Sequence, residues 1–141
     1  MSFGVLSDLN WLAVIVAAVA FFALGGIWYA PPVFGRAWRE SMGWDMPEGQ
    51  RPGPAFYIGP LITCFISSVA VAMIARATGS DTVGEGIVLG LVVGVGIAGA
   101  VLAVTGLFDP KKANPQLWAA IAIGYQVVGL VLVGVIVSTW R

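Results

Sequence analysis

Between residues 9 and 35 the chain carries no charged side chain, and three further uncharged runs of comparable length follow it. A helix needs about 20 predominantly apolar residues to cross the hydrocarbon of a bilayer. Four stretches meet that requirement, at about 10–30, 56–76, 86–108 and 116–140. Only 10% of the 141 residues are charged and 59% are hydrophobic. An aqueous domain of this length still exposes about a third of its chain, so water would meet surface that only lipid accommodates. The reading is an all-α membrane protein: one domain, residues 1–141, with four transmembrane helices in a compact bundle.

Tryptophan placement sets the same limits independently. Trp11 and Trp28 bracket the first run, and Trp118 and Trp140 bracket the fourth. Amphipathic rings collect at the two membrane–water boundaries, so these four, with Trp38 in the first loop, read as interfacial anchors. The segment before the first run has no Lys or Arg and contains Asp8. It lacks the positive region of a cleaved leader, and the first span reads as retained. Asn114-Pro115 is a fitting start for the fourth helix, with Asn as cap and Pro at the first position.

Sidedness follows from Lys and Arg in short loops. Arg36, Arg39 and Arg51 lie in the first loop and Lys111 and Lys112 in the third, against Arg76 and Arg141 on the opposite side. The bias puts the first and third loops in the cytoplasm and both termini outside, in a bacterial inner membrane. After Pro31-Pro32, the residues Phe34, Ala37, Trp38, Ser41 and Met42 recur at helical spacing, with Arg36, Arg39 and Glu40 on the other face. This predicts a short interfacial helix over about 33–43, either a docking element or a plain anchor. A Pro- and Gly-rich loop without regular structure follows at 45–54. Arg36, Arg39, Lys111 and Lys112 are candidate contacts for anionic lipid, or they only set topology.

The third run is rich in small residues. Gly86, Gly90 and Gly94, continued by Ala98, form a small-xxx-small stripe, while at 100° per residue Gly96, Gly99, Ala103 and Gly106 fall on a nearly opposite face. Small residues let helix backbones approach closely in lipid, so the pattern predicts a helix gripped on two sides, one of them by this chain and the other by this chain or a neighbouring subunit. In the fourth run Gln126 lies near mid-membrane beside Tyr125 and Gly124, and the second offers Thr63, Ser67 and Ser68. These five side chains, Gln126, Tyr125, Thr63, Ser67 and Ser68, either line a polar pocket or bond neighbouring helices.

The exclusions narrow function. The chain has no His and a single Cys, Cys64. Zinc, haem and iron–sulfur sites draw mainly on these residues, so no metal site and no cofactor is expected, and Cys64 reads as inert packing. No acid or base occupies the middle of a span, which argues against ion-coupled transport. No nucleophile elbow or phosphate loop occurs, and the Gly-x-Gly-x-x-Gly at 94–99 lies inside a span with no strand before it. Net charge is zero, so nucleic acid is not an expected partner. The expectation is a non-enzyme that works by packing, as an accessory subunit of a membrane complex or a self-assembling oligomer, in contact with membrane lipids. The alternative is a small channel or facilitator for a neutral or lipophilic molecule.

Three short motifs carry a resemblance: Asn10-Trp11-Leu12-Ala13-Val14, then Trp28-Tyr29-x-Pro31 with Phe34-Gly35-x-x-Trp38, and finally Gly124-Tyr125 before an apolar run ending in Trp140. The chain resembles domain-of-unknown-function family 1761, small bacterial four-helix membrane proteins. The family often has an Asn shortly before the Gly-Tyr pair, where Ala122 or a neighbour stands here. The resemblance implies the four-helix topology and no activity.

Overall fold

The computed structural model describes residues 1–45, 47 and 50–141. Among these there is no strand, and four helices are long and apolar enough to cross a membrane. A 3₁₀ turn, Phe3–Asp8, leads into α1 (Trp11–Trp28). A π-helical turn, Pro31–Gly35, opens the short α2 (Arg36–Met42). The second span is α3 (Ala55–Thr78). The third is built from α4 (Val83–Val93), a π-helical turn (Gly94–Gly99) and α5 (Ala100–Leu107), and the fourth is α6 (Pro115–Thr139).

Each boundary has a local cause. Asn10 opens α1, its side-chain oxygen accepting from the amides of Leu12 and Ala13 at 3.1 and 3.2 Å. Asn114 does the same for α6 toward Leu117, with Pro115 in the first turn. The third span begins at Val83 because Thr82 and Glu85 form a capping box: Thr82 Oγ1 accepts from the Glu85 amide, and the Glu85 carboxylate accepts from the amides of Asp81 and Thr82. Two orphan amides at the helix start are satisfied reciprocally by such a box. Two helices end on a left-handed glycine, Gly43 after α2 and Gly79 after α3, at φ 66° and 72°. Past Gly79 the Ser80 amide reaches back to the Ala75 carbonyl at 3.0 Å, and past Gly43 the Trp44 amide reaches the Arg39 carbonyl at 3.1 Å. A side chain at either glycine would strain that turn. Met46, Glu48 and Gly49, part of the Pro- and Gly-rich stretch read as a loop, lie outside the described residues.

The fourth span is the hub of the bundle. It packs against α1, α2, α3 and both helical parts of the third span, whereas α3 and α4 meet only briefly. The core lies where α1, α3 and α6 converge, around Val14, Ala17, Phe21, Cys64, Val71, Val133 and Val137. The ends are stitched as well. Asn10 Nδ2 donates to the Trp140 carbonyl at 3.4 Å, the Arg141 guanidinium donates to the Ser80 carbonyl, and the Asn114 amide donates to the Ser41 carbonyl at 2.9 Å. That last bond, with Ser41 fully buried, fastens α2 to the start of α6.

Candidate functional site

Two surfaces of α6 carry the residues singled out from the sequence. The first faces the third span. A methyl group added at Gly86 would lie 2.7 Å from the Gly134 carbonyl oxygen, one at Gly90 would lie 2.6 Å from the Leu130 carbonyl oxygen, and one at Gly94 would lie 3.0 Å from the Val127 Cα. Gly134 answers from α6, its own missing side chain facing the backbone of Gly86 and Gly90. The two helices therefore touch backbone to backbone, as small residues at a helix interface in lipid allow.

The second half of the third span departs from the two-sided expectation. Gly99 and Gly106, placed by regular helical spacing on the far side, are both buried against α6: Gly99 beside Ile123 and Gly106 beside Trp118 and Ala119. Ala103 is half-buried and Ala98 likewise. Gly96 alone of the predicted second face opens onto empty space. The cause is the π-helical turn at Gly94–Gly99. Its hydrogen bonds span five residues instead of four, so Gly99 stacks above Gly94, and a methyl group at Gly99 would lie 3.1 Å from the Gly94 carbonyl oxygen. One extra residue in the turn rotates everything after it, and two glycine stripes merge into one seam.

The second surface faces α1 and α3 and centres on Tyr125. Its hydroxyl donates to the Phe21 carbonyl at 3.2 Å and lies 3.5 Å from Cys64 Sγ. It reaches that carbonyl because Gly25 leaves room: a methyl there would lie 2.9 Å from the Tyr125 oxygen. The ring packs on Phe21 and on the edge of Tyr29, with centroids 5.1 and 5.3 Å away. From Tyr29 the contacts continue to Trp38 at 5.1 Å, then Trp44, Phe56 and Tyr57.

The structure does not gather the five polar side chains into a pocket. Ser68 is buried but donates to the Cys64 carbonyl of its own helix at 2.8 Å, and Thr63 is exposed and donates to the Pro60 carbonyl at 3.0 Å. Such bonds to the preceding turn satisfy a hydroxyl without a partner helix. Ser67 and Gln126 are half-buried. What fills the space between α3 and α6 is Tyr125 itself, together with Cys64.

The tryptophans divide. Trp11 and Trp140 are exposed at the end of the bundle that holds both termini. Trp28 instead joins two helices, its Nε1 donating to the Ile121 carbonyl at 3.1 Å, and its ring lies 4.8 Å from Phe34. Trp38 packs between Tyr29 and Trp44. Trp118 is half-buried under Lys112, whose Nζ sits 4.4 Å above the ring and 2.6 Å from Asp109 Oδ2. The Lys112 hydrogen bond holds the Asp109 carboxyl below its usual range. Arg36 and Lys111 are exposed, while Arg39 is half-buried and donates to the Gly35 carbonyl at 3.4 Å. Among the described residues, no group of three His, Cys, Asp or Glu side chains converges to hold a metal.

These helices coincide with a known sequence family. Residues 12–138 match the model of the protein family of unknown function DUF1761. The chain belongs to that family. The match runs from the first turn of α1 to the last of α6, so the DUF1761 unit includes the glycine seam, the Tyr125 contacts and α2. No curated protein and no solved structure matches this DUF1761 chain.

Proposed function

We propose that this DUF1761 chain is a non-catalytic packing subunit of a bacterial inner-membrane assembly, which presents its third span to another transmembrane helix. The observation that carries the reading is the asymmetry of that span. It is held by the glycine seam on α6, and its remaining surface is bare: Val88 is 60% and Val92 61% exposed, with Val95, Val101 and Val104 close to them. Helices associate in lipid through close van der Waals packing. Gly96, open to space in the middle of this surface, would let a second backbone approach. The first and third loops, with their five cationic residues, would face the cytoplasm. The alternative, a small channel or facilitator for a neutral or lipophilic molecule, draws less support, because Gln126, Thr63 and Ser67 do not converge on one pocket.

The test is the composition of the native particle. Tagged protein extracted in mild detergent is expected to carry a stoichiometric partner or further copies of itself, and Val92→Trp is expected to release them while leaving the chain folded. A particle holding one copy and no partner would remove the proposal.

A further inference from the structure

At the end of the bundle that holds both termini, α1, α3 and α6 do not close completely, and a cleft of about 20 Å³ remains between them. Its floor is apolar and buried, made by Val14, Ala72 and Val137, one residue from each span. Its rim is polar. Asp8 and Asn10 stand just before α1, Arg76 lies in the last turn of α3, and Arg141 follows the end of α6.

The rim holds more donors than the fold uses. Arg141 directs part of its guanidinium to the Ser80 carbonyl, but a guanidinium has five N–H groups. Arg76 and Asp8 line the same cleft, yet among the described residues they form no ion pair and neither side chain makes a hydrogen bond. At the opposite end of the molecule such a pair does close, with Lys112 Nζ 2.6 Å from Asp109. Nor is Arg76 needed to finish α3. The Gly79 and Ser80 amides already bond the Arg76 and Ala75 carbonyls.

We propose that this cleft binds one phosphate group, with a single oxygen inside and the rest of the group at the mouth. Size, sign and depth select it. The cleft is about as large as one water molecule, so it admits one oxygen atom and nothing bulkier. The rim sets two guanidiniums and the Asn10 amide against a single carboxylate, and guanidinium forks match the oxygens of a phosphate in pairs. Trp140 on the same rim and Trp11 beside Asn10 are exposed, and tryptophans so placed mark the headgroup level of the bilayer.

A phosphate at this level comes from a lipid headgroup or from free inorganic phosphate. The protein in neutral detergent is titrated with short-chain phosphatidylglycerol and, separately, with sodium phosphate at constant ionic strength, and its melting temperature is followed. A ligand of the folded state raises that temperature. Stabilisation by the lipid alone identifies the headgroup as ligand, and stabilisation by both identifies the phosphate itself. In either case Arg76→Gln is expected to weaken binding about tenfold, the scale of one charge-assisted hydrogen bond. Its melting temperature without ligand is expected to match that of the parent. Asp8→Asn, which removes the opposing charge, is expected to strengthen binding. Arg36→Gln removes the same charge as Arg76→Gln from an exposed position at the other end of the bundle and is expected to change nothing. Absence of stabilisation by both ligands, or equal weakening by Arg76→Gln and Arg36→Gln, would overturn the proposal. So would weaker binding in Asp8→Asn.

Discussion

The two flanks of α6 solve the same packing problem by opposite means. Toward the third span, contact is made by removing side chains, so that Gly86, Gly90 and Gly94 bring one backbone against another at Leu130, Val131 and Gly134. Toward α1 and α3, contact is made by a large side chain, with Tyr125 seated against Phe21, Tyr29 and Cys64. A seam without side chains has nothing that can swing aside. A ring in a cleft can shift and be partly replaced. The comparison teaches that tolerance to substitution will differ sharply across a single helix.

The largest effect is expected at Gly90. Its nearest neighbours are backbone atoms of Leu130 and Val131, so Gly90→Leu forces the helices apart. The cost is expected to exceed the roughly 1–3 kcal/mol typical of overpacking, read as loss of the folded monomer in a detergent or urea titration. A wild-type midpoint would break the comparison.

Next comes a test of the π-helical turn. Deleting Ile97 removes the extra residue and lets Gly94–Gly99 relax into ordinary α-helix with the seam on both sides still facing α6. Deleting Val88 instead rotates Gly86 away from Gly90 by about 100°, given 3.6 residues per turn. The first deletion is expected to yield folded protein and the second none. Equal yields of folded protein from the two would show that the turn does not set the register.

A smaller change is expected from Tyr125→Phe. The ring contacts stay and only the hydroxyl bonds to Phe21 and Cys64 disappear, for a loss of about 1 kcal/mol. Double mutation with Cys64→Ala should be less than additive, because the two side chains touch. Smallest of all is Gly96→Ala, whose new methyl meets nothing within 4 Å. It is expected to be neutral or to stabilise the monomer by up to about 1 kcal/mol through helix propensity. A large loss there would place Gly96 in a contact that the isolated chain lacks, and would sharpen the proposed role of this face.

The four spans were legible because uncharged length is a direct physical requirement of the bilayer, and Asn114-Pro115 marks the start of α6 in plain chemical terms. The start of the third helix was readable too, since Thr82-x-x-Glu85 is a capping box, but an estimate from apolar residues alone began at Gly86. The glycine geometry was not legible, for a specific reason. Sorting residues at 100° per step assumes an unbroken α-helix, and the turn at Gly94–Gly99 breaks that assumption. One signal was available: the two stripes are offset by five residues, from Gly94 to Gly99, the period of a π-turn. Tyr125 was singled out, but its partners were not readable. Its partner is a main-chain carbonyl on α1, and the missing side chain of Gly25 makes that carbonyl reachable.

The position of α6 in chain order has a consequence for synthesis. The first three spans enter the bilayer with their α6-facing surfaces uncovered: Phe21 has no ring above it, and the glycines of the third span have no backbone to meet. At about 5–20 residues per second, the 25 residues of α6 take about 1–5 s to emerge. Among the contacts open to the first three spans before then, those between α1 and α3 are extensive and those between α3 and α4 few. The contacts that α6 makes with every other span can form only once it has emerged.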